Sequence, residues 1–244
     1  MKTGDVINVG PEKVTWDPST RTLEGKFKGK KIIVPTGQLA LQDIKWNRID
    51  FQKAVELATK SGFTAIVRRV EDDKITASIR EWQERRYEFL QEGEVYQSRV
   101  IYVTPYSLHV YVKGIRVRVY VTDCTRARMS NLCEFFKEGE KMKVKILKKQ
   151  QEFPYHIDGS RKEVYPTLKE AHKEYKVGSQ IYVMICERLN DDGYRVEVTP
   201  NIPGILNGIK EELDKLKRGS RIRAEIIEID KLGIKCRVAK GRRL

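Results

Sequence analysis

Residues 106–125 read Tyr-Ser-Leu-His-Val-Tyr-Val-Lys-Gly-Ile-Arg-Val-Arg-Val-Tyr-Val-Thr-Asp-Cys-Thr, and this stretch decides the fold. Before Lys113-Gly114, Leu108, Val110 and Val112 alternate with Ser107, His109 and Tyr111. After it, Ile115, Val117, Val119 and Val121 alternate with Arg116, Arg118, Tyr120 and Thr122. A period of two on both arms predicts a β-hairpin with one aliphatic face for a core and one polar face for solvent. Rings interleaved with guanidinium groups on that outer face suit stacked bases and phosphates. Tyr and Arg are equally at home on the wet face of an ordinary sheet, so the hairpin alone leaves both readings open.

Working outward, the same grammar recurs. A Gly and a polar or acidic residue lead into a strand at Gly4-Asp5, Gly93-Glu94 and Gly178-Ser179, starts that lie 89 and 85 residues apart. Each is answered by a second Gly-led strand, at Gly62-Phe63, Gly139-Glu140 and Gly219-Ser220. A short stretch with apolar residues at helical spacing precedes each answer: Phe51, Val55 and Ala58; Leu132, Phe135 and Phe136; Ile209, Leu213 and Leu216. Three copies of strand, hairpin, short helix and hairpin predict an all-β chain of three tandem five-stranded OB-type barrels. Each would carry its helix between strands 3 and 4, plugging one end. The expected divisions are 1–80, a linker helix at 81–92, a second domain at 93–165, a linker at 166–177 and a third domain at 178–244.

The three copies differ in their faces. In the first, the hairpin over Thr22–Pro35 exposes mainly Lys, with Trp16 and Phe27 the only rings nearby. After the strand Ile75–Ile79, a bridging helix is expected over Arg80–Leu90 with apolar contacts from Trp82, Phe89 and Leu90. In the second, Met142, Val144 and Ile146 point inward while Lys141, Lys143 and Lys145 point out, and a closing strand falls around Tyr155–Ile157. In the third, Gly193–Val198, Ile202–Gly208, Arg221–Ile229 and Gly233–Val238 supply strands, and the tail Lys240–Leu244 is expected to fray.

Composition narrows the partner. Forty-eight Lys and Arg against 34 Asp and Glu give a formal charge of +14, shared by all three copies. Such a surplus favours an anionic polymer or surface as partner. The start at Met1-Lys2-Thr3 carries no apolar leader, and no run approaches the roughly 18 apolar residues of a membrane span, so a soluble, cytoplasmic protein with no membrane partner is expected. Cys124, Cys133, Cys186 and Cys236 fall at no zinc-like spacing and read as reduced, mostly packed thiols. With three His, no Gly-rich phosphate loop and no metal-ligand cluster, neither catalysis, a cofactor nor a small-molecule substrate is expected. The paired carboxylates Asp72-Asp73 and Asp191-Asp192 are explained by turn chemistry.

The second and third copies resemble tandem S1 RNA-binding domains, the OB-type module named after the large S1 protein of the bacterial small ribosomal subunit. The likeness rests on Ser107–Val112, on Val119-Tyr120-Val121-Thr122-Asp123 and on Glu138–Leu147, then on Gly193–Val198 and Pro203-Gly204-Ile205-Leu206. The first copy is similar to that protein's divergent leading domain through Ile32–Pro35, Ala77–Glu81 and the helix after them. The resemblance implies that the family's RNA-facing Phe and His fall on His109 and Tyr120. In the third copy they become Arg195 and Asn207, which removes the rings. It implies single-stranded RNA, mRNA or similar, as partner, with the first domain docking on protein such as the ribosome or RNA polymerase. Arg116, Arg118, Arg126 and Arg128 are the phosphate candidates beside the rings, Tyr111 shares their face, and Arg195 and Arg237 are the counterparts in the third copy. A second reading stays open: a scaffold that docks on ribosome, RNA polymerase or a nuclease without touching bases.

Overall fold

The computed structural model describes residues 1–40, 49–151, 155–190 and 193–239. Asp191-Asp192 and the tail 240–244 lie outside the described residues. The chain divides into two compact units. One holds Met1–Gln91 with Lys113–Arg116 and Lys149–Ile157; the other holds Glu92–Val112, Val117–Lys148 and Asp158–Leu244.

The first copy contributes β1 (Val6–Val9), β2 (Thr15–Asp17), β3 (Thr22–Phe27), β4 (Lys30–Pro35), α1 (Ile49–Ser61), β5 (Phe63–Val70) and β6 (Lys74–Ser78). They form one six-stranded sheet in the order β1-β5-β6-β4-β3-β2. This is a half-barrel rather than the closed five-stranded barrel expected, because the extra strand β2 pairs along the free edge of β3. Phe51 and Ala58 of α1 are buried against it, and Phe51 meets Trp16 edge-on at 5.1 Å.

The bridging helix α2 (Ile79–Tyr87) starts one residue earlier than its charge pattern suggests, since the Ser78 hydroxyl accepts the Glu81 N–H at 2.9 Å and caps it. Its inward face is Ile79, Gln83 and Tyr87. Leu90 is buried as expected, but Phe89 is 65% exposed. Trp82 instead covers Gly114, where a Cβ would lie 2.5 Å from its ring, and the Gln83 amide donates to the Gly114 carbonyl at 2.9 Å.

The other two sheets are closed barrels. One is built from β7 (Val95–Val103), β8 (Ser107–Val112), β9 (Ile115–Tyr120), then α3 (Val121–Cys124), β10 (Lys141–Lys149) and β11 (Ile157–Ser160). After α4 (Leu168–Ala171) come β12 (Gln180–Asn190), β13 (Gly193–Thr199), β14 (Ile202–Asn207), α5 (Lys210–Leu213), β15 (Arg221–Asp230) and β16 (Gly233–Val238). In every copy the third and last OB strands run parallel: β4 with β6, β9 with β11 and β14 with β16.

The repeat has a physical basis in its glycines. Gly4, Gly62, Gly93, Gly139, Gly178 and Gly219 all sit between φ +73 and +91, a conformation that costs other residues a Cβ clash. The same bond recurs with it, from Gly4 to Val67, Gly93 to Ile146 and Gly178 to Ile226, each N–H to carbonyl at 2.8 Å. The plug between strands varies far more. It is thirteen residues in α1, one 3-10 turn at Leu132–Glu134 and one turn in α5.

Leu108, Val110, Val112, Ile115, Val117 and Val119 are completely buried, as the alternation predicts, each worth about 1.5–3 kcal/mol in removed apolar surface. Val121 leaves that row: β9 ends at Tyr120 and a helical turn begins. The turn holds because its carbonyls are satisfied. Lys162 Nζ donates to Thr122 O at 2.6 Å, the Arg161 N–H to Asp123 O at 2.9 Å, and Arg161 Nη1 to Cys124 O at 3.2 Å. The closing strand runs two residues beyond its expected centre, Ile157–Ser160, because Ser160 and Arg161 serve this turn.

All four cysteines are free thiols. Burial pushes those of Cys124, Cys186 and Cys236 up to about 12, while Cys133 is exposed. At pH 8 a disulfide reagent such as Ellman's is expected to titrate one thiol in the native protein and four in denaturant. Rapid reaction of two or more native thiols would contradict this packing.

Candidate nucleic-acid interface

The hairpin of β8 and β9 turns on two residues with positive φ, Lys113 at +50 and Gly114 at +84, the arrangement of a type I′ turn. With the Val121 N–H bonded to Tyr106 O at 2.9 Å, this register places His109 opposite Arg118 and Ser107 opposite Tyr120 on the outer face.

Both predicted rings are held by neighbours. His109 is half-buried and stacks on Tyr102 of β7, centroids 4.2 Å apart and planes 11° from parallel, while its Nε2 lies 3.1 Å from Ser107 Oγ. Tyr102 is therefore the buried floor beneath His109 and not itself a contact surface. Tyr120 is 39% exposed, and the Arg118 guanidinium lies 4.2 Å from its centroid. Asp158 of β11 fixes that guanidinium, accepting from Nε at 3.1 Å and Nη2 at 3.0 Å. Each ring is thus braced by its neighbours, and an incoming flat group would find it ordered in advance.

The structure separates the other candidates. Arg116 and Tyr111 are half-buried on the same hairpin, and Arg128 is exposed beyond it. Arg126 is drawn toward the third copy: its N–H donates to Pro200 O at 2.8 Å and its Nε to Asn201 Oδ1 at 2.5 Å. Arg126 and Arg195 both line a cleft of ≈ 380 Å³, with Ile205, Leu232 and Lys235. Arg195 faces Glu187 at 3.6 Å, and Arg237 is bound twice by Glu225 at 3.3 and 3.0 Å, so neither is an uncompensated cation.

Two residues escape the sequence pattern. Tyr106, 70% exposed, is a further open ring just before β8; its neighbours Pro105 and Ser107 mask it as turn sequence. Arg161 is the second, and it is structural. Its Nη1 and Nη2 each reach a Glu197 carboxylate oxygen at 2.8 Å, with side chains only 8% and 3% exposed. Burial disfavours the Arg161 charge, but the Glu197 bonds and charge outweigh it and hold the group more firmly protonated than a free guanidinium.

No family profile matches the chain. It is 24% identical over 233 residues to the 4-hydroxy-3-methylbut-2-enyl diphosphate reductase of Clostridium acetobutylicum, covering 86% of this chain and 35% of that protein. It is 24% identical over 155 residues to a small ribosomal subunit protein bS1 homolog of Bacillus cereus, covering 57% and 38%. Against bS1 of Neisseria meningitidis it is 24% identical over 188 residues, covering 73% and 32%. The chain spans about a third of the length of these curated relatives. Among solved structures, a multidomain protein with nucleic acid binding domains from Streptococcus pneumoniae aligns over 98% of this chain and 74% of its own, at 10% identity and a TM-score of 0.33. Repeated likeness to bS1 proteins, joined to the OB strand order in each copy, makes this chain an S1-like protein of tandem OB folds.

Proposed function

We propose that the chain is a non-catalytic single-stranded RNA-binding protein whose principal contact is the outer face of β8 and β9. The observation that carries this reading is the braced ring pair. His109 is seated on Tyr102 and Tyr120 lies against Arg118, on a sheet face whose reverse side is wholly core. Bases would stack on the open sides of the two rings, and Arg116 and Arg128 would meet phosphates. The relatives named bS1 support the same partner class. Because a reductase is also among the relatives, the likeness follows a barrel module rather than any one activity.

In this reading the domains are 1–80, 93–165 and 178–244, joined by linkers, and the protein acts in translation, ribosome association or the fate of transcripts. The first domain would dock on ribosome or RNA polymerase. Among the described residues no helix is long and apolar enough to cross a membrane.

The test is a titration of a fluorescent unstructured RNA of about 20 nucleotides, a length several OB barrels can share, over a salt series. Affinity should fall steeply, with a log–log slope near −0.7 per phosphate contacted. Absence of binding at low salt would sink the proposal. The scaffold reading draws on the third copy, where Arg195 and Arg237 are matched by Glu187 and Glu225 and no ring stands at the platform. Association with ribosomal subunits that survives nuclease and high salt would favour it.

A further inference from the structure

RNA binding by the hairpin leaves the cleft of the third barrel without a role. Its apolar side is made by Ile205 of β14 and by Leu232, in the turn between β15 and β16. Leu232 is 87% exposed and Ile205 38%. A lone exposed leucine is ordinary, but this one lines a cleft and its turn is ordered. Asp230 Oδ1 accepts the Leu232 N–H at 2.7 Å and the Gly233 N–H at 3.1 Å. A Cβ on Gly233 would clash with the Pro203 carbonyl oxygen, so the turn lies directly on β14. Two aliphatic side chains are thus presented to water on a fixed frame, and an apolar occupant would cover them.

The charges around the cleft limit that occupant. Arg126, Arg195, Lys235 and Asp230 all line it. Arg195 is paired with Glu187 at 3.6 Å, and Lys235 with Glu228 at 2.9 Å and Asp230 at 3.5 Å. Arg126 is exposed and has no acidic partner among the described residues. Asn201 Oδ1 takes its Nε and Pro200 O its backbone N–H, which fixes the residue and leaves Nη1 and Nη2 for an acceptor from outside. This balance suits a single carboxylate. A chain of phosphates would meet Glu187, Glu228 and Asp230 along with the cations, and no ring lines the cleft to stack a base. We propose that the cleft docks a peptide segment of a partner protein, with an apolar side chain against Ile205 and Leu232 and a neighbouring carboxylate on Arg126. At ≈ 380 Å³ it has room for one such anchor. The site goes beyond RNA binding and does not depend on the hairpin rings.

Peptides would be selected on the whole chain from a phage-displayed random library, synthesised with a fluorescent label, and titrated against the unsubstituted chain, Leu232→Ser and Arg126→Gln. The selected sequences should share an apolar residue close to an Asp or Glu. Each substitution should weaken their binding by about tenfold or more. Because Leu232 is exposed, Leu232→Ser should unfold at the temperature of the unsubstituted chain and bind the unstructured RNA as that chain does. An excess of the same RNA should leave the peptides bound. A library that yields no common sequence, a common sequence without an acid, or peptides indifferent to either substitution would each overturn the proposal. So would displacement of the peptides by the RNA, which would give the cleft to nucleic acid.

Discussion

Arg161→Ala is expected to destabilise the unit containing the third barrel by about 3–5 kcal/mol, because it leaves the Glu197 carboxylate buried with its partner gone. The size follows from geometry. Two bonds of 2.8 Å join the pair, and neither side chain has solvent enough to replace the other. Arg161 Nη1 also supplies the Cys124 carbonyl, so the α3 turn loses an acceptor's partner in the same step. Denaturant unfolding should show a lower midpoint with a similar slope. Arg161→Met combined with Glu197→Leu should recover most of the loss, since no buried charge then remains. If Arg161→Ala costs under about 1 kcal/mol, the pair behaves as a surface ion pair and its buried placement is wrong.

Much of the fold was legible because its signals are local. The six strand-leading glycines have a backbone reason to be glycine, and the Leu108–Val119 alternation depends only on the pleat. Arg161 was illegible for the opposite reason. It lies in the polar stretch 150–165, where no period distinguishes a buried guanidinium from a solvated one, and its partner is 36 residues away. The end of β9 is a similar case: Val121 fits the strand pattern, and only the donors arriving from Ser160, Arg161 and Lys162 turn the chain into a helix. The half-barrel depends on β2, three residues whose pairing with β3 no alternation announces.

The candidate site divides along the same line. His109 and Tyr120 could be placed on one face from spacing alone, whereas what braces them could not. Tyr102 reaches His109 across the β7–β8 register, which shifts between Val100 and Tyr102, and Asp158 reaches Arg118 across a parallel pair. Arg126 shows the limit of reading charge by itself. It sits beside exposed Arg128 in sequence, yet its bonds go to Pro200 and Asn201.

In the proposed function, two braced rings on β8 and β9 carry single-stranded RNA. It is tested most directly by titrating the unstructured RNA with the unsubstituted chain and with His109→Ala/Tyr120→Ala, side by side at one salt concentration. Base stacking on an aromatic side chain is worth about 1–3 kcal/mol per base, so loss of both rings should weaken binding by at least about tenfold. The salt slope should barely change, because neither ring carries a phosphate contact. Thermal unfolding of the variant, recorded alongside, should match that of the unsubstituted chain, since both rings lie outside the aliphatic core. Equal affinity for the folded variant and the unsubstituted chain would contradict the claim and return the hairpin face to an ordinary solvated sheet.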